Sequence, residues 1–176
     1  MKSSWAGHNS GMDSDRSEEF RDVSNRLAKG VAVITARSRG HDHARTVTDV
    51  IAVSWDPPTM LVSLYSLGRM CEAVEEAGHW AVSFLAAEQR HIAGWLSEPG
   101  TPLIGLLDNI PHHRRDPDGP ALIDDALAWL EVRTTASVEV ATHTLVAGEV
   151  TWMAAAEGDT RPGLLRYRGS YEESAR

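Results

Sequence analysis

The sequence predicts a mainly β fold with short helices, closed as an antiparallel barrel. Three observations carry this. Apolar, β-branched runs recur with turn residues between them: VAVITAR (31–37), RTVTDVIAVSW (45–55), TMLVSLYS (59–66) and WAVSFL (80–85). Two longer runs, LAWLEVRTTASVEVAT (127–142) and HTLVAGEVTWMAAA (143–156), follow one another across a tight turn. Helical patterns are few and short, so long antiparallel strands must close around one core.

Each element follows from local chemistry. Residues 1–14 are polar and Gly/Ser-rich and read as a flexible tail ahead of one domain covering 15–176. A helix is expected from Asp15, with Glu18 in capping-box spacing. Phe20, Val23 and Leu27 then share a face, and Gly30 closes the helix. SRGHDH turns the first strand into the second, and the prolines of DPP stop the ladder before the third. MCEAVEEA (70–77) is helical and ends at Gly78; AAEQRHIAGWL (86–96) is helical again. Residues 97–120 form a long loop rich in Pro, Gly and charge, a kind of loop that often carries function. LLRYRGSY (164–171) reads as a closing strand.

Bulk properties narrow the function. A chain of 176 residues with 42% hydrophobic content suits one domain with a real core. Net charge is -8, which argues against a nucleic-acid partner and against an anionic membrane surface. No apolar run approaches the roughly 18 residues of a membrane span, and MKSSWAGHNSGMDSD lacks a signal-type apolar core. The lone Cys71 can form no internal disulfide and reads as a helix-packing residue in a cytoplasmic protein.

Several chemistries lack their motifs. There is no G-x-G-x-x-G after a strand, no P-loop and no G-x-S-x-G elbow. His41 and His43 lie two apart on a turn and His112 and His113 are adjacent, so no metal signature forms. What stands out is TVTDVIAVSWDPP, where Thr46, Thr48 and Ser54 line one side of a strand and Asp49 falls on the apolar side. An unpaired buried carboxylate costs several kcal/mol or takes up a proton. Asp49 must therefore be rotated outward by a bulge or be paired.

The order of these segments resembles the flavin reductase-like family, the FMN-binding split barrels that serve as reductase components of two-component monooxygenases. FRDVSNRLAKGVAVITA is similar to the family's opening helix and Gly-Val strand, and TVTDVIAVSWDPPTMLVSL to its Thr-x-Ser/Asn segment, Pro-Pro turn and following strand. WAVSFLAAEQRHIA, ALIDDALAWLEVR, HTLVAGEV and LLRYRGSY resemble four further segments in the family's order. The resemblance implies a homodimeric split β-barrel that binds FMN or FAD near the dimer interface, with NADH or NADPH stacked over the flavin.

It also implies a site. Thr46, Val47, Thr48, Asp49, Val50, Ser54, Ser63, Leu64 and Arg69 match positions that line the flavin, while Arg168 and Tyr171 match the closing strand beside the pocket. Strand hydroxyls and backbone N–H groups suit the ring edge, and Arg69 at a helix start suits phosphate. His143 matches the histidine of the nicotinamide region, and Asp49 is expected to contact the flavin or its substrate. The ring N3–H, Arg45 or a backbone amide are the candidate partners for its carboxylate.

This chain departs from the family where relatives carry Ala or Ser at Asp49, an aromatic at Val50, an Asp at Thr142, hydroxyls at Leu67 and Met70, and Asn/Arg-Phe-Ala-Gly at residues 95–98. The leading expectation is an NAD(P)H:flavin oxidoreductase that supplies reduced flavin to a partner monooxygenase. Two other readings stay open: a flavin enzyme acting directly on a small organic substrate, and a ligand-binding module without catalysis.

Overall fold

The computed structural model describes residues 10–175 apart from 101 and 103. Helix α1 spans Ser10–Ser24, followed by the strands β1 (Lys29–Gly30), β2 (Ala32–Ser38), β3 (His41–Val47), β4 (Val50–Trp55) and β5 (Pro58–Tyr65). Helix α2 (Arg69–Ala77), β6 (His79–Phe84), a 3₁₀ turn at Ala87–Gln89 and helix α3 (Arg90–Ser97) come next. Then follow β7 (His112–His113), β8 (Leu122–Ile123), β9 (Ala128–Val140), β10 (His143–Ala155), β11 (Leu164–Tyr167) and β12 (Ser170–Glu173). Strands dominate and the helices are short, as the sequence predicts. Among the described residues, no helix is long and apolar enough to cross a membrane.

The main sheet has seven strands in the order β3-β2-β6-β9-β10-β5-β4, with every neighbouring pair antiparallel. Its two outermost strands, β3 and β4, are consecutive in the chain and joined only by Thr48 and Asp49. A residue spans at most about 3.6 Å, so the sheet must roll until its edges approach each other. β1, β11 and β12 form a separate three-stranded sheet, and β7 pairs with β8.

Inside the roll, Ile34, Val62, Trp80, Val82, Val132 and Val146 are fully buried. Helix α2 covers this cluster with Cys71, Ala73 and Val74, so Cys71 does pack a helix. The indole N–H of Trp80 donates to Thr134 Oγ1 at 3.2 Å, which satisfies its polar edge. A second cluster joins Val31, Val33 and Leu85 to Ile92 and Leu96 of α3 and to Leu107 of the long loop. Gly78 ends α2 in the left-handed region (φ 62°), with its N–H on Val74 O.

Four local expectations are corrected. Helix α1 begins at Ser10, ahead of Asp15, and ends at Ser24, short of Leu27 and Gly30; residues 1–9 of the expected tail lie outside the described residues. Phe20, Val23 and Leu27 are all exposed. The single strand expected over 45–55 is two strands, because the chain turns a corner at Thr48–Asp49. The closing segment is a hairpin rather than one strand: Arg168 (φ 48°) and Gly169 (φ 79°) both turn left-handed between β11 and β12.

The corner settles the position of Asp49. Val47 points into the core, and so does Val50, three residues on. That odd step swaps the two faces of the strand. Ile51 and Val53 are thereby turned outward and exposed, and Asp49 with them; a bulge between Ala52 and Ser54 shifts the phase again before Trp55, which is exposed at the strand end beside Pro58.

Candidate functional site

A groove of about 360 Å³ opens between β3, the end of β5 and the start of α2, with the loop after α3 on its far side. His43, Arg45, Leu64, Tyr65, Gly68 and Arg69 line it. Alternation on β3 explains the first two: His43, Arg45 and Val47 share a face, with Val47 buried in the core and the other two in the groove. Gly68 is the N-cap of α2 and offers no capping side chain. A Cβ at this position would stand 2.9 Å from Tyr65 O, so the tight approach of strand end to helix start requires glycine.

The groove is cationic in an acidic protein. Among the described residues, neither Arg45 nor Arg69 has a carboxylate within ion-pair distance. Arg45 donates only to the backbone carbonyl of Glu98, at 3.2 Å. Asp42, the acid of the groove wall, is already held by Arg37 at 3.0 Å and by Arg114 at 2.5 Å. Burial lowers the pKa of the His43 imidazole below its ordinary 6.5, and the neighbouring His41 and Arg69 lower it further. The uncapped first turn of α2 adds partial positive charge. Together these groups make a receptor for an anion.

Of the residues singled out in the sequence, Leu64 and Arg69 lie in this groove. His143 is one ring away: its imidazole meets Tyr65 edge-on at 5.9 Å between centroids, and its Nδ1 lies 3.0 Å from Thr142 Oγ1. Thr46 faces α3 and donates to Ala93 O at 2.8 Å. Val47 is in the core and Val50 packs against it. Thr48 and Asp49 form the corner, where Asp49 O accepts the Ser63 N–H at 2.9 Å. The Ser63 side chain is half-buried beside Leu145 of β10.

The remaining three stand elsewhere. Ser54 is spent on the turn, donating to Asp56 O at 3.1 Å. Arg168 and Tyr171 belong to the smaller sheet, where Arg168 lies over Tyr167 at 5.2 Å and Tyr171 stacks under Arg166 at 4.7 Å. The backbone N–H of Arg168 donates to Asn25 O at 2.8 Å.

The partner of Asp49 is Lys29, whose ammonium donates to Oδ1 at 2.6 Å; the pair is half open to solvent. Arg45, the side chain expected there, points into the groove instead. Lys29, Tyr65 and Gly68 escaped the sequence reading, and His41 and His43, expected on a turn, lie on β3. Only Gly68 left a local trace, as a glycine directly before an amphipathic helix.

A rolled antiparallel sheet with an anion-receiving groove at a helix start defines the class, and the sequence match completes it. The chain belongs to the flavin reductase-like domain family, whose model matches residues 24–175. Among curated relatives, the NADH-dependent FMN reductase AsuE2 of Streptomyces nodosus subsp. asukaensis is 34% identical over 94% of this chain and 92% of its own length. The NADH-dependent flavin reductase StyB of Pseudomonas fluorescens is 31% identical over 86% of each. The solved NADH:FAD oxidoreductase SgcE6 of Streptomyces globisporus C-1027, in complex with NAD and FAD fragments, superposes with a TM-score of 0.84 at 25% identity, covering 92% of this chain and 94% of that one.

Proposed function

We propose that this chain is an NADH-dependent flavin reductase of the split-barrel type, passing reduced FMN or FAD to a partner monooxygenase. The observation that carries the reading is the cationic groove at the start of α2, present in a chain that shares its family with named NADH-dependent reductases. Hydride transfer from nicotinamide to flavin is chemistry that the two ring systems supply. The protein's part is to hold them at reacting distance and keep water out. Arg69 and the first turn of α2 take the phosphate, Leu64 gives apolar cover, and the backbone around Thr46–Val50 meets the ring edge. His143, beside Tyr65, orients the nicotinamide, and Asp49 and Ser63 lie on the ring side of the corner. Arg168 and Tyr171 serve the outer rim of the same pocket. NADPH is the alternative hydride donor.

The same reading includes a homodimer acting in the cytoplasm, built from one domain over residues 15–176. Ile51, Val53, Tyr65, Val138 and Val140 project from neighbouring strands on the outer face of the rolled sheet, and each is more than half exposed. An apolar face of this breadth calls for cover, and a second copy supplies it symmetrically. The test is NADH oxidation by purified protein with and without added FMN, FAD and riboflavin. Steady NADH loss that depends on added flavin is expected. Absence of NADH loss with all three flavins overturns the reading.

A further inference from the structure

The groove holds more groups able to bind an anion than one helix start explains. Arg69 sits at the start of α2, but His43 and Arg45 come from β3, across the groove. Their spacing of two puts both side chains on the groove face of the strand. Resting on the reading of this groove as the flavin site, we infer that His43 and Arg45 join Arg69 in gripping a terminal phosphate monoester, so that FMN is preferred over FAD and riboflavin.

Charge separates the three ligands. A phosphomonoester carries about −1.5 to −2 near neutral pH, with a second pKa of about 6. A diphosphate bridge, as in FAD, spreads its two charges over two phosphorus centres with two non-bridging oxygens each, whereas the monoester gathers its charge on three oxygens of one phosphorus; riboflavin carries no phosphate charge. Two arginines without carboxylate partners match a dianion with free terminal oxygens, which guanidinium groups bind in forked pairs.

His43 adds a dependence on pH. The charged and titratable groups around it are His41, Asp42 and Arg45 on its own strand and Arg69 and Glu72 on α2; its partner on β2 is the uncharged Ala36. Asp42 and Glu72 are both engaged by arginines, Glu72 with Arg39 at 3.7 Å. With the groove free, burial, His41 and Arg69 all favour the neutral imidazole. A phosphate in the groove reverses the local field and favours the protonated form. Proton uptake then accompanies binding, and affinity rises as pH falls from 8 toward about 6.5, above the range where the phosphate itself protonates.

Flavin affinities of the full chain test this. FMN is expected to bind about tenfold or more tightly than riboflavin and FAD, since each charge-assisted bond is worth at least that factor. Arg45→Met, which keeps the aliphatic stem, is expected to shrink that preference about tenfold, and His43→Gln to flatten the pH dependence of FMN affinity. Equal affinity for the three flavins, or an unchanged preference in Arg45→Met, overturns the inference while leaving flavin reduction intact. Inorganic phosphate, followed by phosphorus NMR, gives a readout free of flavin. Broadening with wild-type protein that is lost in Arg45→Met supports the cluster even where no flavin is reduced, and no broadening with wild type overturns it.

Discussion

The two faces of the rolled sheet have the same taste for apolar side chains and opposite fates. On the inner face Val62, Val132 and Val146 are completely buried, with α2 closing over them. On the outer face of the same sheet, Ile51, Tyr65, Val138 and Val140 stand more than half exposed. Inner and outer positions alternate strictly along β5, from Met60 and Val62 inward to Leu61 and Ser63 outward. A polar outer face would have made a self-sufficient barrel. The difference teaches that the inner face specifies the fold and the outer face specifies what the fold meets.

Substitutions that carry a charge onto one face or the other probe this division most strongly. Val62→Asp puts an unpaired carboxylate into the core, where the cost of several kcal/mol consumes most of a domain's stability; loss of cooperative thermal unfolding by circular dichroism is expected. Ile51→Asp, on the adjoining strand and the other face, should melt within a few degrees of wild type yet sediment as a monomer. A dimer unchanged by Ile51→Asp would place the cover elsewhere.

A smaller effect is expected at the corner where the faces exchange. Asp49→Ala removes an ion pair that is half open to solvent, worth about 1 kcal/mol or less. Chemical denaturation should barely shift, whereas flavin affinity falls if the carboxylate or Lys29 meets the ring; unchanged affinity and turnover remove Asp49 from the site.

The smallest effect lies off both faces. Arg161 binds Asp159 through side chain and backbone and holds its pKa below the ordinary carboxylate value, so this pair stabilises the protein above that range and the contribution is lost as pH falls through the lowered pKa. Melting temperature measured from pH 6 down to pH 3 should fall less steeply for Asp159→Asn than for wild type.

The legible parts of the fold were those written in local pattern. The long β9–β10 pair, the buried β6 and the amphipathic α2 with Gly78 stand where periodicity and end signals put them. The corner at 48–49 was not legible, because a one-residue change of phase leaves every residue type in place and alters only which way each points. Its consequence was large: it moved Asp49 from the apolar side to the surface and turned Ile51 out to 57% exposure. The 168–169 turn had a signal in its Arg-Gly pair, but the short runs on either side merged into one apparent strand.

The site divides the same way. Leu64 and Arg69 followed from resemblance and adjacency to a helix start. Lys29 lies on β1 and Asp49 in the corner between β3 and β4, 20 residues apart, so their pairing exists only in three dimensions. His43 and Arg45 have the strand spacing of a shared face, but only the groove beside α2 gives that face a use.

The link through Thr48 and Asp49 also governs how the molecule breathes. Where hydrogen bonds join neighbouring strands, a gap opens by exchanging those bonds for water; between β3 and β4 at that point the tie is covalent and only two residues long. The roll is hinged there like a clasped bracelet. An opening that admits a planar guest must therefore begin away from this corner.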